Sequence, residues 1–391
     1  MASGIQRQYA SRIEGMTSFK VVDFLEAAVK MEAQGRDIVR MEAGEPAFPT
    51  APAIIAAASA ALHDEKTFYT PSLGIIELRE AIAGFYQTRY GLNIPPERIV
   101  VTTGSSAALG LICDLIINPG DGLQLTDPGY PCNANFVRRA GGEPQLISVD
   151  ADNAYQLTPE AVAAHWQDNT VGVLVASPSN PTGEMLSRDN QRGINKVVAS
   201  HNGVLIMDEL YHGLVYDQQE SSILEINSDA MVINSFSKYF GMTGWRLGWM
   251  VVPEDALEAV NIMAQNFYIS PPSIAQYAAL GAFEPATLDI MEARRAEFLQ
   301  RRDYLVPALR ELGFSIPNMP AGAFYIYAGI EKLAADSEAF CWDMLERAEV
   351  AFTPGTDFGE HLARQHVRFS YTQPMHRLEL AVERLGKALA S

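Results

Sequence analysis

From Ile99 to Val252 the chain repeats one pattern: a short apolar run, a polar or glycine-containing loop, then a stretch of helical periodicity. The runs are Ile99–Thr102, Gly122–Thr126, Gln145–Val149, Val171–Ala176, Val204–Met207, Met231–Asn234 and Leu247–Val252. Short runs that stay apolar instead of alternating with polar residues read as strands buried on both faces. Strands that alternate with helices have few ways to pack. The pattern predicts an α/β fold with a mostly parallel seven-stranded sheet covered by helices on both faces. Ligands bind such sheets beyond the strand ends, so the loops there are where chemistry is to be sought.

The flanks read differently. Val21 to Gly35 has helical periodicity and a glycine stop, Ile38–Met41 is a short strand, and Gly44-Glu45-Pro46 is a turn. Pro52 opens an alanine-rich helix, and Gly74 to Tyr90 reads as another. Glu254 to about Leu312 reads as helical, with a break at Pro271-Pro272. Beyond it come a strand at Phe324–Tyr327, a helix at Ser337–Glu349, a strand at Val367–Tyr371 and a last helix. This predicts a large domain over 45–290 and a smaller α+β domain made of 1–44 together with 291–391.

At 391 residues, 48% of them apolar, the chain reads as an ordinary soluble protein with an ample core. Its formal charge of −18 argues against nucleic acid or an anionic membrane as partner, since both need a basic face. The three cysteines (Cys113, Cys132 and Cys341) are far apart and form no CxxC, and the seven histidines show no metal-ligand spacing, so no metal is expected. Arg7, Arg12 and Glu14 stand where a signal peptide would need an apolar stretch, and no run is long enough for a membrane span. The expected location is the cytoplasm.

The loop after Met231–Asn234 carries Ser235-Phe236-Ser237-Lys238, then Gly241, Gly244 and Arg246. A lysine shielded from water has a depressed pKa and becomes a nucleophilic amine that can form a Schiff base. Two serines and an arginine beside it suit a phosphate. Amine and phosphate site together suggest pyridoxal 5'-phosphate (PLP). Other strand ends add candidates, each with an ordinary alternative. Asp208-Glu209-Leu210-Tyr211 is a helix-capping aspartate or an acid for a cofactor ring, with Glu209 pointing elsewhere. Asn180-Pro181-Thr182-Gly183 is a tight turn or a polar contact. Gly104-Ser105-Ser106 is a capped helix start or an anion cup. Asp127-Pro128-Gly129-Tyr130 is a proline turn or an aromatic platform, Arg368 a solvated strand residue or a carboxylate fork, and Tyr69 a core tyrosine or a reaching one.

Ser-x-Ser-Lys followed by Gly-x-x-Gly-x-Arg-x-Gly resembles the cofactor-lysine signature of the class I/II aminotransferases, and the other motifs follow in that family's order from Gly44 to Arg368. The resemblance implies the fold type I architecture of PLP-dependent transferases. It implies that Lys238 binds PLP and moves the substrate's α-proton, that Asp208 faces the pyridine nitrogen, and that Tyr211 and Asn180 bond the ring oxygen. By the same resemblance Gly104, Ser105, Ser106, Ser235, Ser237 and Arg246 hold the phosphate and Tyr130 stacks on the ring. Arg368 and Gly44 take the substrate carboxylate, Asn180 also belongs to the substrate site, and Tyr69 reaches the phosphate of a second subunit in a homodimer. The family often has Asp where this chain has Ala47. The implied reaction moves an amino group from an amino acid to a 2-oxo acid in a ping-pong cycle. A β-eliminating carbon–sulfur lyase of the same fold would share these residues. A ligand-sensing regulator would need a DNA-binding region ahead of residue 19. Ser106 stands where some acidic-substrate members carry lysine, so dicarboxylate specificity is not expected; Phe19, Tyr268 and Tyr130 are candidates for an apolar side-chain pocket.

Overall fold

The computed structural model describes residues 10, 13, 15, 16 and 18–390. The reading made at Arg7, Arg12 and Glu14 lies outside them.

The central sheet has seven strands in the order Ile99–Thr102, Gly248–Val251, Met231–Ser235, Val204–Asp208, Thr170–Ala176, Gly122–Asp127, Glu143–Ser148. Its interior strands are apolar because both faces are covered. Along Val204–Asp208, Leu205 and Met207 enter one core while Ile206 enters the other. Val173 and Val175 alternate with Leu174 in the same way. The helix Ser105–Ile116 supplies Ala108, Leu111 and Ile112 to one core, and Arg188–Ser200 supplies Ile194 and Val198 to the other. Burying a side chain of this size is worth about 1.5–3 kcal/mol.

One strand runs against the rest: Gly248–Val251 is antiparallel to both of its neighbours, Ile99–Thr102 and Met231–Ser235. The other pairings are parallel. A parallel return needs a crossover of a dozen or more residues, usually a helix. The segment between Ser235 and Gly248 contains only the short 3-10 turn Thr243–Trp245, so the chain comes straight back.

The strands Thr353–Pro354, His366–Ser370 and Tyr325–Gly329 form a separate antiparallel sheet. Val39–Arg40 near the start of the chain pairs in parallel with Val350–Ala351, and the helix Met375–Leu389 packs beside this pair. The helical stretch after Glu254 breaks twice. The expected interruption lies at Pro271-Pro272, and a second separates Ser273–Leu280 from Pro285–Glu311. At the second, Gly281 packs so close to the Ala53 carbonyl that a Cβ would lie 2.6 Å from its oxygen, and Pro285 then takes the first-turn position suited to proline.

Candidate active site

The parallel strands Gly122–Asp127, Thr170–Ala176, Val204–Asp208 and Met231–Ser235 all end at the same edge of the sheet. The residues that follow them share one cavity. Its walls include Gly44, Ser105, Ser106, Tyr130, Asn180, Asp208, Tyr211, Ser237, Lys238, Arg246 and Arg368.

Lys238 is partly buried, and its Nζ donates to the Gly44 carbonyl at 2.5 Å. Loss of water, then the nearby Arg368 charge, depress its pKa to about 8. The aromatic residues next to it in sequence do not surround the amine. Phe236 packs on Phe240 and Trp249 at 5.2 and 4.9 Å, anchoring the segment, while Tyr239 donates to Glu292. The rings near Nζ are those of Tyr211 and Phe324, both at 5.9 Å.

Asp208 is buried at the sheet edge, and burial raises its carboxyl pKa to about 6 despite the Leu210 N–H that donates to Oδ1 at 3.0 Å. Glu209 turns away from the cavity, accepting from Ser222 Oγ at 2.9 Å and Ile223 N–H at 2.8 Å. Tyr211 meets Tyr325, hydroxyl to hydroxyl, at 2.9 Å.

The candidate anion cup lies beside the lysine. Gly104 at φ +77° precedes the helix Ser105–Ile116, which no side chain caps, so its first N–H groups and its dipole face the cavity unpaired with a cap. A Cβ on Gly104 would lie 2.8 Å from Arg246 Nη2. Arg246 itself sits at φ +53°, held by a bond from Nη1 to the Thr243 carbonyl at 2.8 Å. Ser237 lines the cavity, whereas Ser235 sits behind it, donating to the Leu247 carbonyl at 3.1 Å and accepting from Ser237 Oγ at 2.9 Å.

At the other end Arg368 is only 2% exposed, so it is no solvated strand residue. Its guanidinium donates to Asn180 Oδ1 at 2.9 Å and to the Glu42 carbonyl at 2.6 Å. The rings of Tyr325 and Phe358 face it at 4.4 and 4.6 Å. Its Nε is buried without a partner, a donor that an incoming carboxylate oxygen can satisfy.

Phe19 lines the cavity and meets Tyr130 edge-on at 6.3 Å. Tyr268 does not line it: that ring lies beside Arg139, against the core that includes Ser105–Ile116. Tyr69 stands 80% exposed and outside the cavity, so it is not a core tyrosine of this chain. Tyr325 went unrecognised in the sequence because an aromatic residue in an apolar strand reads as core. The signal that could have flagged it is the glycine at 44, where a Cβ would lie 2.1 Å from the Tyr325 hydroxyl. Among the described residues no cluster of side chains could hold a metal ion, and no helix is long and apolar enough to cross a membrane.

The donor set fits PLP: a water-depleted amine, an anion cup with one arginine, a buried carboxyl that could face a ring nitrogen, and a separate arginine for a carboxylate. A seven-stranded, mostly parallel sheet with this lysine at its edge defines the fold type I class of PLP-dependent transferases. The family model for aminotransferase class I and II matches residues 36–385, and the chain belongs to that family. It is 38% identical to valine–pyruvate aminotransferase of Mycobacterium tuberculosis over 96% of this chain and 97% of that one. It is 35% identical to (5-formylfuran-3-yl)methyl phosphate transaminase of Methanocaldococcus jannaschii, over 97% and 99% of the two chains. Among solved structures, an aminotransferase from Mycobacterium tuberculosis superposes with a TM-score of 0.95 at 37% identity, covering 98% of this chain and 99% of the other. The activity is therefore amino-group transfer, which in this family uses PLP.

Proposed function

We propose that this cavity holds PLP and transfers the amino group of α-amino acids with apolar side chains to a 2-oxo acid. The observation that carries the substrate class is the cavity's charge inventory. Among the described residues, Lys238, Arg246 and Arg368 are the cations that line it, and Arg246 belongs to the anion cup. One arginine then remains for substrate, enough for an α-carboxylate and none for a second. The remaining wall includes Phe19, Val21, Leu109, Tyr130 and Leu210. The valine–pyruvate relative supports this reading.

Gly104, Ser105, Ser106, Ser237 and Arg246 would hold the phosphate, with Ser235 supporting Ser237 from behind, Tyr130 would cover the ring, and Asn180 and Tyr211 would bond its oxygen. Asp208 would face the ring nitrogen and keep it protonated. When bound, PLP supplies the electron sink that lets the substrate's Cα–H bond break heterolytically. The remaining work belongs to the chain. Arg368 fixes the substrate carboxylate through two N–H donors, which orients Cα. The free amine of Lys238 would take the α-proton and give it up again, as base and then acid. A pKa near 8 suits that exchange near neutral pH.

We also propose a homodimer. Phe68 and Tyr69 are each 80% exposed and lie beside Ile269–Ser273, where Ser273 Oγ donates to the Phe68 carbonyl at 2.6 Å. An exposed apolar strip of this kind suits a second copy of the chain, with Tyr69 reaching the neighbouring phosphate. The cysteines Cys113, Cys132 and Cys341 are free, which fits a reducing cytoplasm.

The test uses the purified, PLP-loaded enzyme with a panel of amino acids and 2-oxo acids. Turnover of valine, leucine or phenylalanine well above aspartate and glutamate is expected. A panel in which only the dicarboxylic amino acids react would overturn the substrate class.

A further inference from the structure

Asp127 ends the strand Gly122–Asp127, close before Tyr130, yet its carboxylate does not line the cavity. It is buried and reaches a segment more than two hundred residues away. Both oxygens accept from the Glu360 N–H at 3.1 Å, and Oδ2 also accepts from the His361 N–H at 3.1 Å. Next to this clamp the Gly129 N–H donates to the Phe358 carbonyl at 2.8 Å. The approach is so close that a Cβ on Gly359 would lie 1.8 Å from Asp127 Oδ1.

The gripped loop carries two parts of the substrate site. Phe358 presents its ring to the Arg368 guanidinium at 4.6 Å. Asp357 accepts from the Lys20 and Val21 N–H groups at 2.7 and 3.4 Å, fixing the start of the helix Lys20–Glu32. Phe19 and Val21, at that start, line the cavity.

We propose that Asp127 is a positioning residue for substrate: through the 357–361 loop it sets Arg368 and the Phe19–Val21 wall without touching substrate or cofactor. This rests on the reading of Arg368 as the carboxylate site. A carboxylate suits the clamp because Oδ2 accepts from both N–H groups while Oδ1 accepts from that of Glu360 as well. An amide offers one acceptor and turns N–H donors toward the backbone N–H groups of the loop. A clamp that shapes only the substrate end should alter binding of amino acid and 2-oxo acid while leaving the proton-transferring lysine in place.

The experiment compares Asp127→Asn, Asp127→Ala, Gly359→Ala, Asp127→Ala/Gly359→Ala and Arg368→Lys as PLP-loaded enzymes. It measures KM for both substrates, kcat, PLP content and the thermal midpoint. Asp127→Asn and Gly359→Ala should each raise both KM values about tenfold or more, with kcat changed less than about threefold and PLP content unchanged. Because removing the Asp127 side chain makes room for the new methyl, the double variant should be no worse than Asp127→Ala alone, a non-additive pair. Unchanged KM in Asp127→Asn, or loss confined to kcat and PLP content, overturns the proposal. If Asp127→Asn does not fold, Gly359→Ala decides in the same terms. Unchanged KM in Arg368→Lys would instead remove the reading of Arg368. A raised KM there with none in Asp127→Asn removes only the role of Asp127.

Discussion

The hydroxyls of Tyr211 and Tyr325 lie 2.9 Å apart, joining the end of a central-sheet strand to a strand of the small antiparallel sheet. Burial raises the pKa of both phenols, so each remains a neutral donor and acceptor. Tyr325 also faces Arg368 at 4.4 Å, so one side chain touches both the proposed cofactor end and the proposed substrate end.

Tyr325→Phe keeps the ring beside Arg368 and deletes the bond to Tyr211. A buried neutral hydrogen bond is worth about 1 kcal/mol, so kcat/KM should fall roughly fivefold. Tyr325→Leu also removes the ring from Arg368, and KM for the amino acid should rise further. Steady-state kinetics of the two variants separate the hydroxyl from the ring.

Gly44→Ala puts a methyl 2.1 Å from the Tyr325 hydroxyl and 3.2 Å from Cζ. The single variant should lose activity, with a stability cost of about 1–3 kcal/mol. In Gly44→Ala/Tyr325→Phe the nearest atom is gone, and most of the stability should return. A double-mutant cycle on thermal midpoints checks the coupling; purely additive losses would show that the two residues do not oppose each other.

The carboxyl of Asp208 titrates near 6 in the fold against an ordinary 3.8. The folded apoprotein therefore holds this proton more tightly than the unfolded chain. No penalty exists below about 3.8; it grows between 3.8 and about 6 and is complete above that. The gap is worth on the order of 3 kcal/mol. Asp208→Asn should stabilise the apoprotein above pH 6, with little effect near pH 4, while abolishing most activity. Denaturant melts of the two apoproteins across this range provide the measurement.

Lys238 carries its charge only below about pH 8, so its amine is free at pH values where an ordinary lysine, titrating near 10.5, is protonated. Reductive methylation of the apoprotein with formaldehyde should label Lys238 with a pH midpoint near 8, followed by mass spectrometry of its peptide. Arg368→Met removes a nearby positive charge and should move that midpoint upward. An unmoved midpoint would mean that the Arg368 charge does not contribute to depressing the lysine.

The sheet could be read from the chain because residues such as Leu205, Ile206 and Met207 must all be apolar when two cores press on one strand. Strand direction leaves no such mark, so nothing in Leu247–Val252 announced its antiparallel course. The second helix break depended on Gly281 meeting Ala53, a contact between distant segments that local periodicity does not carry. Lys238, Asp208 and Asn180 were visible because polar residues directly after buried strands stand out. Asp127 was not, since Asp-Pro-Gly satisfies an ordinary turn, and its partners at 360 and 361 are backbone groups with no side-chain signature. Tyr268 misled because an aromatic after a helix reads alike whether it faces a cavity or Arg139.

The reversal between Met231–Ser235 and Gly248–Val251 places Lys238 and Arg246 on a single loop pinned at both ends into one sheet. That loop acts as a ruler: the span from amine to anion anchor is set within one stretch of covalent chain. Arg368 belongs to a different sheet and answers to a different loop. The Phe19–Val21 wall hangs on that other loop, so its shape can change without recalibrating the ruler.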